Sequence, residues 1–431
     1  MTETQAEQGS LRDIPPTIWA LLVGLFLSAF AVVGQITIVG KQVFDLTGDE
    51  LDLGLLGLAE FLPIAFVAPF AGAMADRRDR RVVWALALLV EAGVSFSLFL
   101  YAESVPTSVV PIFGLMVVFG AARALAAPSS RALPIDLAPP EVLERVVALK
   151  SVMFQAGAIT GPVVFGFAFV AGESVPYLVA TGAFIASGLT LPFVQKAPIR
   201  QLDTKGGRQA IRDAMDGLRF IRRQPIIFGA ITLDLFAVLF GGLIALLPAI
   251  AEDRLGVGAV GLGWLRAAIG IGATSMALTL SFRPIRRRLG RVLFGAIAVF
   301  GVMTIVIGFS DTYAVVFIAL VIAAAADAVS VFIRVTLVPL ATPEQMRGRV
   351  LAVENVFIGA SNELGAVESG LTAAAFGLAG ALLFGGAGTL VVVAVWWRLF
   401  PALRDVDRFD EVRVSGRQAA KSLGVEHHDT S

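Results

Sequence analysis

Nine ionisable residues stand inside long apolar stretches of this sequence, where charge is costly. Six are carboxylates and three are arginines: Glu60, Glu91, Arg123, Asp234, Arg266, Asp327, Arg334, Glu363 and Glu368. On membrane-insertion scales each charged group at mid-bilayer costs roughly 2.5 to 3.5 kcal/mol, so each needs a partner or water. Because arginine keeps its proton, the three arginines neutralise at most three of the six acids. The excess of acid predicts a hydrated cavity, or carboxylates that bind protons.

The densest polar patch among these residues lies late in the chain. Asn362 and Glu363 are adjacent, and Glu368 follows about a turn later. Asp327 and Arg334 share one helix face about 10 Å apart along the axis, so we expect them to bind different partners. The alternative to a functional role is that the acids are structural partners of the arginines. We predict a substrate or proton site within the set Glu60, Arg123, Asp234, Arg266, Asp327, Arg334, Asn362, Glu363 and Glu368.

The elements that must position these residues are membrane helices. Hydrophobic residues make up 57% of the 431 residues and charged residues 16%, against roughly 25% charged in soluble domains. A run of about 20 apolar residues crosses a ~30 Å hydrocarbon layer. The runs predict an all-α integral membrane protein with twelve transmembrane helices, near residues 17–44, 51–74, 82–102, 107–128, 142–171, 174–195, 225–250, 259–282, 291–310, 313–340, 350–376 and 378–400.

The distribution of lysine and arginine predicts how these spans are oriented. Of the 34 basic residues, 29 fall in the termini or in alternate connecting segments, and only Lys41 and Arg254 fall in the others. Basic loops stay in the cytoplasm, so we expect cytoplasmic N- and C-termini in a multi-pass protein of the cytoplasmic (inner) membrane. The first residues show no cleavable signal pattern, which predicts an uncleaved first span.

The spans divide into two six-helix bundles. The predicted segments are a cytoplasmic N-terminal tail at 1–16, a first bundle at 17–195, a cytoplasmic linker at 196–224, a second bundle at 225–400 and a cytoplasmic C-terminal tail at 401–431. Residues match between the bundles at an offset of 204, as Gly161 does with Gly365. Such matches indicate internal repeats, which are common in transporters.

The linker between the bundles is polar and basic. Apolar residues recur in it at helical spacing, at Ile211, Met215, Leu218 and Ile221. This pattern predicts a short amphipathic helix that lies on the inner leaflet. A solvated linker without regular structure is the alternative.

The loop after the second span combines glycine with charge, at Gly72, Asp76, Arg77, Arg80 and Arg81. A glycine lets helices approach closely, an aspartate can accept from the amides at a helix N-terminus, and arginines hold the loop inside. The alternative is that the arginines only fix the topology.

The fifth predicted span combines glycine with proline, at Gly157, Gly161, Pro162 and Gly166. Glycines permit tight helix contact, and the proline removes a backbone hydrogen bond and so allows a bend. The pattern predicts a helix-bend motif that acts in alternating access. A structural kink alone is the alternative.

These two motifs resemble those of the major facilitator superfamily: its signature loop, and the Gly-x-x-x-Gly-Pro motif of its antiporters. The resemblance implies two six-helix bundles around a central cavity, which spans 1, 2, 4, 5, 7, 8, 10 and 11 border. Glu91 lies on span three, so we expect it to form a structural hydrogen-bonded pair. The loop would act as a conformational gate, in which Asp76 contacts the start of a helix near residues 349–351.

Within the superfamily the chain is most similar to the enterobactin (catecholate siderophore) exporters and related drug effluxers. The similarity is strongest from Asp327 to Leu337 and on into the segment from Thr342 to Val350. Two positions depart from the family pattern. Asp79 stands where the signature loop has glycine, and Met116 stands where many antiporters carry a buried arginine.

The sequence therefore predicts a secondary transporter that exports a siderophore-like molecule or a lipophilic drug by proton antiport and alternating access. Export follows from the resemblance alone. The alternatives are an importer or uniporter of a small solute, and a non-transporting membrane sensor on the same fold. The expected partners are the small-molecule substrate, protons and the lipid bilayer, without nucleic acid, and the expected state is a monomer.

A membrane enzyme is the remaining class. It would need a nucleophile and base, or a metal cluster, near one membrane interface. The chain has no cysteine, and its only histidines are His427 and His428 in the polar tail. We therefore predict that the chain is not an enzyme and has no catalytic residue, no metal site and no cofactor.

Overall fold

The computed structural model describes residues 13–194 and 207–412, without the side chains of residues 68–70, 72, 73, 75–77 and 207–211. This part of the chain consists of helices and connecting turns and contains no strand. The long helices are α1 (Pro16–Thr47), α2 (Glu50–Arg77), α3 (Arg80–Glu103), α4 (Val110–Asp136), α5 (Leu143–Ala171), α6 (Val175–Thr190), α7 (Gly207–Arg223), α8 (Pro225–Phe240), α9 (Gly258–Phe282), α10 (Leu289–Phe309), α11 (Tyr313–Ala341) and α12 (Glu344–Leu399).

Local sequence signals fix several helix ends. Asp49 and Asp79 directly precede α2 and α3, and their carboxylates accept hydrogen bonds from the backbone N–H groups of Leu51 (2.9 Å) and Arg81 (3.1 Å). Gly48 ends α1 with a φ of 62°, a left-handed conformation that favours glycine. The N-cap at the start of α3 gives a physical reason for the acid at position 79, where the loop departs from the superfamily pattern.

Ten helical stretches of the described residues are long and apolar enough to cross a membrane. Helix α2 is not among the ten, although it has 28 residues. Helix α12 counts once, but its 56 residues are interrupted at Gly377, whose φ of 73° and ψ of 166° are not helical. Both parts of α12, at 344–376 and 378–399, exceed the about 20 residues that one span requires.

The described residues divide into two compact units. Unit 1 lies within Met1–Thr204 and Leu247–Gly270, and unit 2 lies within Lys205–Leu246 and Ile271–Ser431. In unit 1, α1 packs against α5 and α6, and α4 packs against α2 and α3. In unit 2, α10 packs against α11 and α12, and α12 also packs against α8. Buried apolar side chains of α8, α10, α11 and α12 form one continuous core there.

Corresponding glycines bring helices close together in the two units. A β-carbon on Gly161 of α5 would collide with the carbonyl group of Phe30 on α1. A β-carbon on Gly365 of α12 would lie 2.6 Å from the carbonyl oxygen of Val238 on α8. Gly161 and Gly365 match at the offset of 204 residues, so one step of the sequence repeat corresponds to the same kind of helix contact in each unit.

The linker helix α7 packs on other helices of unit 2. Ile221 is buried in the core of that unit, whereas Met215 is 46% exposed. Arg349, near the start of α12, forms an ion pair of 2.8 Å with Asp213 of α7. Ile221 therefore packs on protein in the structure, while the expected position of α7 at the inner leaflet stays a prediction. The side chain of Ile211 lies outside the described ones.

Residues beyond α12 also belong to the core of unit 2. Leu403, Val406 and Val412 are buried there. The carboxylate of Asp407 accepts a hydrogen bond of 2.9 Å from the backbone N–H of Arg288, directly before α10. The packed part of the chain therefore extends at least to Val412, past residue 400, where the second bundle was expected to end.

Candidate functional site

A buried arginine of α11 binds two carboxylates in unit 2. The guanidinium of Arg334 lies 3.1 Å from a carboxylate oxygen of Asp234 on α8 and 3.4 Å from one of Glu354 on α12. The three side chains are 4%, 8% and 5% exposed, respectively. When all three are ionised, their charges sum to −1 in a place that water barely reaches. Binding one proton makes this Arg334 cluster neutral, which reduces the cost of burying it.

Helical periodicity places these polar residues on buried faces. Asp234 follows the fully buried Ile227 by seven residues, and Glu354 follows the fully buried Val350 by four. Residues three, four or seven apart share one helix face. The apolar residues that bury each helix therefore carry its acid into the core, toward Arg334.

Sequence reasoning predicted Asp234 and Arg334 as site residues but missed Glu354. The apolar run of that span begins at Val350, which puts Glu354 near the expected membrane boundary. In the structure α12 begins at Glu344, so Glu354 lies about three turns inside the helix. The proline directly before Glu344 was the available signal, because proline is favoured at a helix start.

The other predicted residues of unit 2 lie in several different environments. Asp327 is exposed, and so is Asn362, which donates to the backbone of its own helix. Glu363 is half-buried. Glu368 accepts a hydrogen bond of 2.8 Å from the hydroxyl group of Thr372, a turn later on α12. Asn362, Glu363 and Glu368 of the predicted polar patch therefore differ in exposure along α12, and their role stays a prediction.

Unit 1 contains a second arginine–carboxylate pair. Arg123 of α4 forms an ion pair with Glu60 of α2, and the side chains are 34% and 12% exposed. A β-carbon on Gly120 would collide with the Glu60 carbonyl group, so the missing side chain lets α2 and α4 meet here. Arg266, the remaining arginine of the predicted site, is half-buried in the same unit.

Glu91 of α3 is buried in unit 1. Its Oε2 atom has no hydrogen-bond partner within the described ranges. The hydrogen-bonded pair expected for Glu91 is therefore not formed at that oxygen. Two charged groups act on the Glu91 carboxyl: the positive Arg123 and the negative Glu60.

Arginines fasten the beginning of α3, next to the predicted gate loop. Arg80 forms an ion pair with Asp136 at the end of α4. Arg81 donates to the carboxylate of Asp79 (2.7 Å) and to the carbonyl oxygen of Val194 (2.6 Å). The other predicted gate residues are Gly72, Asp76 and Arg77, and their side chains lie outside the described ones. The predicted contact of Asp76 therefore lies outside the described part of the structure too.

The glycines of the predicted helix-bend motif all lie at close helix contacts in unit 1. A β-carbon would lie 2.5 Å from the Phe26 carbonyl oxygen at Gly157 and 2.5 Å from the Ala259 carbonyl oxygen at Gly166. Pro162 lies inside α5 between them. The motif thus packs one face of α5 on α1 and another on the start of α9.

A buried lysine of unit 1 was not among the predicted site residues. Lys41 of α1 donates to Asp45 at 2.9 Å and to Glu252 at 2.5 Å. Its ammonium group also lies 5.0 Å from the ring centroid of Phe169. Glu252 is separated from Lys41 by 211 residues. No local pattern in the sequence connects residues so far apart.

The long apolar helices and the ionisable side chains buried between them define a multi-pass membrane protein. The model of the Major Facilitator Superfamily matches residues 21–360. The chain belongs to this superfamily. It is a membrane transporter of that type, not an enzyme.

Relatives of the chain are known at modest identity. The uncharacterized MFS-type transporter YfiS of Bacillus subtilis (strain 168) is 27% identical over 200 residues, which cover 44% of this chain and 46% of YfiS. The chain thus spans less than half of YfiS. The enterobactin exporter EntS of Escherichia coli O127:H6 is 28% identical over 343 residues, or 76% of this chain and 77% of EntS.

Among solved structures, the nucleoside transporter NupG has a similar fold. The two superpose with a TM-score of 0.73 and 14% sequence identity, over 90% of this chain and 99% of NupG. At this identity the likeness concerns the fold alone. It agrees with the all-helical architecture of the described residues.

Proposed function

We propose that this transporter exports a small organic molecule across the cytoplasmic membrane in exchange for protons, by alternating access. The observation that carries the proposal is the Arg334 cluster, in which two buried acids share one guanidinium. The cluster is neutral with one bound proton and has a charge of −1 without it. Since a conformation that buries the cluster favours the protonated form, proton binding can be linked to a change of conformation.

For the architecture we propose twelve spans in two six-helix bundles. Ten candidate spans, the separate helix α2 and the division of α12 at Gly377 together support this count. We propose that the membrane-spanning bundles lie at 17–195 and 225–400, and that the packed residues up to Val412 follow the last span. The basic loops support cytoplasmic termini. One chain contains both bundles, so a monomer suffices for transport.

For the substrate we propose a siderophore-like molecule or a lipophilic drug. Similarity to the enterobactin exporter over three quarters of both chains supports this class. Asp327 and Asn362 are exposed polar groups on helices that also carry the cluster. We propose that they contribute to substrate binding, together with Glu363.

For the gate we propose that the loop between α2 and α3 holds one conformation closed, with Asp76 as the contact to another helix start. Asp76→Asn should then lower transport while expression stays normal. Arg131→Gln, which removes an exposed charge elsewhere, is the control. Unchanged transport by Asp76→Asn would contradict the gate.

Transport by purified protein in lipid vesicles tests the exchange. A panel of catecholate siderophores and macrolides is added outside vesicles that are acidic inside, acidic outside or without a gradient. Proton antiport predicts accumulation when the interior is acidic, because leaving protons drive substrate entry. Accumulation with an acidic exterior would instead indicate a proton-coupled importer. Equilibration of the substrate that is independent of both proton gradients would indicate a uniporter.

A further inference from the structure

One face of α11 leads from an exposed acid to the buried Arg334 cluster. Asp327, Ser330 and Arg334 follow one another at intervals of three and four residues, so they lie along one stripe of the helix. Asp327 is exposed, whereas Ser330 is 1% and Arg334 4% exposed. The stripe is a polar line through an otherwise apolar helix.

Two buried polar atoms on this stripe have no hydrogen-bond partner among the described residues. They are the hydroxyl oxygen of Ser330 and the Nε atom of Arg334. A hydroxyl group in a membrane helix commonly donates to the carbonyl group four residues earlier. Thr336 and Thr342 of the same region do so, at 2.8 and 2.7 Å, but Ser330 does not. Ser330 is therefore exceptional in its own helix.

The geometry of the guanidinium shows where a partner for Nε would lie. The Nε–H and Nη2 groups of an arginine point from the same edge of its plane. Nη2 of Arg334 contacts Asp234 at 3.1 Å. An acceptor for Nε would therefore lie on the edge of the guanidinium that faces Asp234, and Ser330 precedes Arg334 by about one helical turn. Buried polar atoms are nearly always paired with protein or with ordered water, and a small polar gap with several partners suits water.

We propose that an ordered water bridges Ser330 Oγ, Arg334 Nε and Asp234, and that protons pass along this bridge between Asp327 and the Arg334 cluster. This inference rests on the proposed proton exchange. Asp327 takes a proton from solvent and passes it to the Ser330 oxygen, while the serine hydroxyl gives its own proton to the water. The water gives one proton to the carboxylate of Asp234. Arg334 stays protonated and only orients the water, and serine and water return to their starting forms.

The charged groups that bear on this path come from three helices of unit 2. Asp327 and Arg334 lie on α11, Asp234 on α8 and Glu354 on α12. The charges of Asp234 and Arg334 act on Asp327, with opposite signs. A proton on Asp327 thus has an acceptor in Asp234, and the charge of Glu354 on the shared Arg334 guanidinium favours its uptake.

Infrared spectroscopy of the full-length protein in lipid tests the route without a substrate. The C=O stretch of a protonated buried carboxyl group is recorded, and its shift is followed after a change from H₂O to D₂O. The parent should show a band that changes in Asp234→Asn and in Glu354→Gln. In Ser330→Val the band should remain, but the rate at which its proton exchanges for deuterium should fall by about tenfold. That is the effect of one lost hydrogen bond on a rate.

Asp327→Asn should slow exchange to a similar degree, and Ser330→Thr, which keeps the hydroxyl group, should restore it. Thr304→Val is the matched control, because Thr304 is a buried hydroxyl of unit 2 that already donates to Phe300 at 3.0 Å. It should leave the exchange rate unchanged. Thermal unfolding of each variant shows whether it is folded, and Ser330→Ala provides a milder change if Ser330→Val unfolds.

The two proposals fail in different ways. The absence of any protonated-carboxyl band sensitive to Asp234→Asn and Glu354→Gln would overturn the proton exchange itself. A band whose exchange rate is the same in the parent, Ser330→Val and Asp327→Asn would overturn the water route alone. Equal slowing by Thr304→Val would also overturn it, because the effect would then not depend on the stripe.

Discussion

Each unit of the transporter places an arginine from one of its long helices beside acids, but the two sites differ in burial and charge. Arg123 in unit 1 is 34% exposed and binds one acid, Glu60. Arg334 in unit 2 is 4% exposed and binds two acids. The Arg123–Glu60 pair is neutral by itself and is reached by water on the Arg123 side, with Glu91 buried nearby as a separate acid. Arg334 and its two acids instead form one buried ion-paired site with an excess acid, whose stability depends on its proton count. On this basis we place the proposed proton exchange in unit 2.

The largest difference in stability between the two units is expected when each arginine is replaced. Arg334→Gln should lower the free energy of unfolding by about 3–5 kcal/mol, because it leaves two buried carboxylates without a counter-charge. Arg123→Gln should lower it less, by about 1–2 kcal/mol, because it leaves a single carboxylate and water reaches the pair on the side of Arg123, which is 34% exposed. Thermal unfolding of the purified variants measures both.

The pH dependence of unfolding in the two arginine variants provides a second test. Without Arg334 the two acids become more costly to bury as they ionise, so the loss in Arg334→Gln should grow as pH rises and shrink in acid. Similar losses for Arg123→Gln and Arg334→Gln at every pH would contradict the distinction between the units.

A smaller effect is expected at the glycines where the helices that carry the acids cross. A methyl group at Gly365 would meet the Val238 carbonyl, and one at Gly120 would meet the Glu60 carbonyl. Gly365→Ala and Gly120→Ala should each cost about 1–3 kcal/mol, the usual cost of overpacking. Gly93→Ala is the control, since no atom lies within 4 Å of the added carbon. A stable Gly365→Ala protein would show that α8 and α12 need not meet so closely.

The smallest effect on stability is expected from neutralising single acids of unit 2. Glu354→Gln should change the free energy of unfolding by about 1 kcal/mol or less, since the amide oxygen can still accept from Arg334. It should nevertheless remove the decrease in stability that the parent shows as pH rises and the cluster loses its proton. Glu368→Gln, whose carboxylate bonds to Thr372 on the same helix, should keep that decrease. Melting curves over a pH series distinguish the two variants.

Much of the fold could be predicted because it depends on local patterns. Apolar runs predicted the long helices, and helical spacing of apolar residues predicted the linker helix α7. The surface that Ile221 contacts could not be predicted, since a buried face looks the same whether lipid or protein covers it. The ion pair between Arg349 and Asp213 decides this, and it joins residues more than 130 positions apart.

The site could be predicted only in part. Charge in an apolar run identified Asp234 and Arg334, because such charge has few explanations. Glu354 was missed, since the apolar run starts after the helix does. Lys41 was not selected because it lies near the end of a run, and its partner Glu252 is distant in sequence. Ser330 has no unusual feature until the structure shows its hydroxyl group without a partner.

The central claim is that the buried acids of unit 2, and not the pair in unit 1, exchange the proton. Vesicles that are acidic inside, containing the parent, Glu354→Gln or Glu60→Gln, test it most directly with a substrate found in the panel. Glu60→Gln should accumulate substrate against its gradient, whereas Glu354→Gln should only equilibrate it. Accumulation by Glu354→Gln together with its loss in Glu60→Gln would contradict the account.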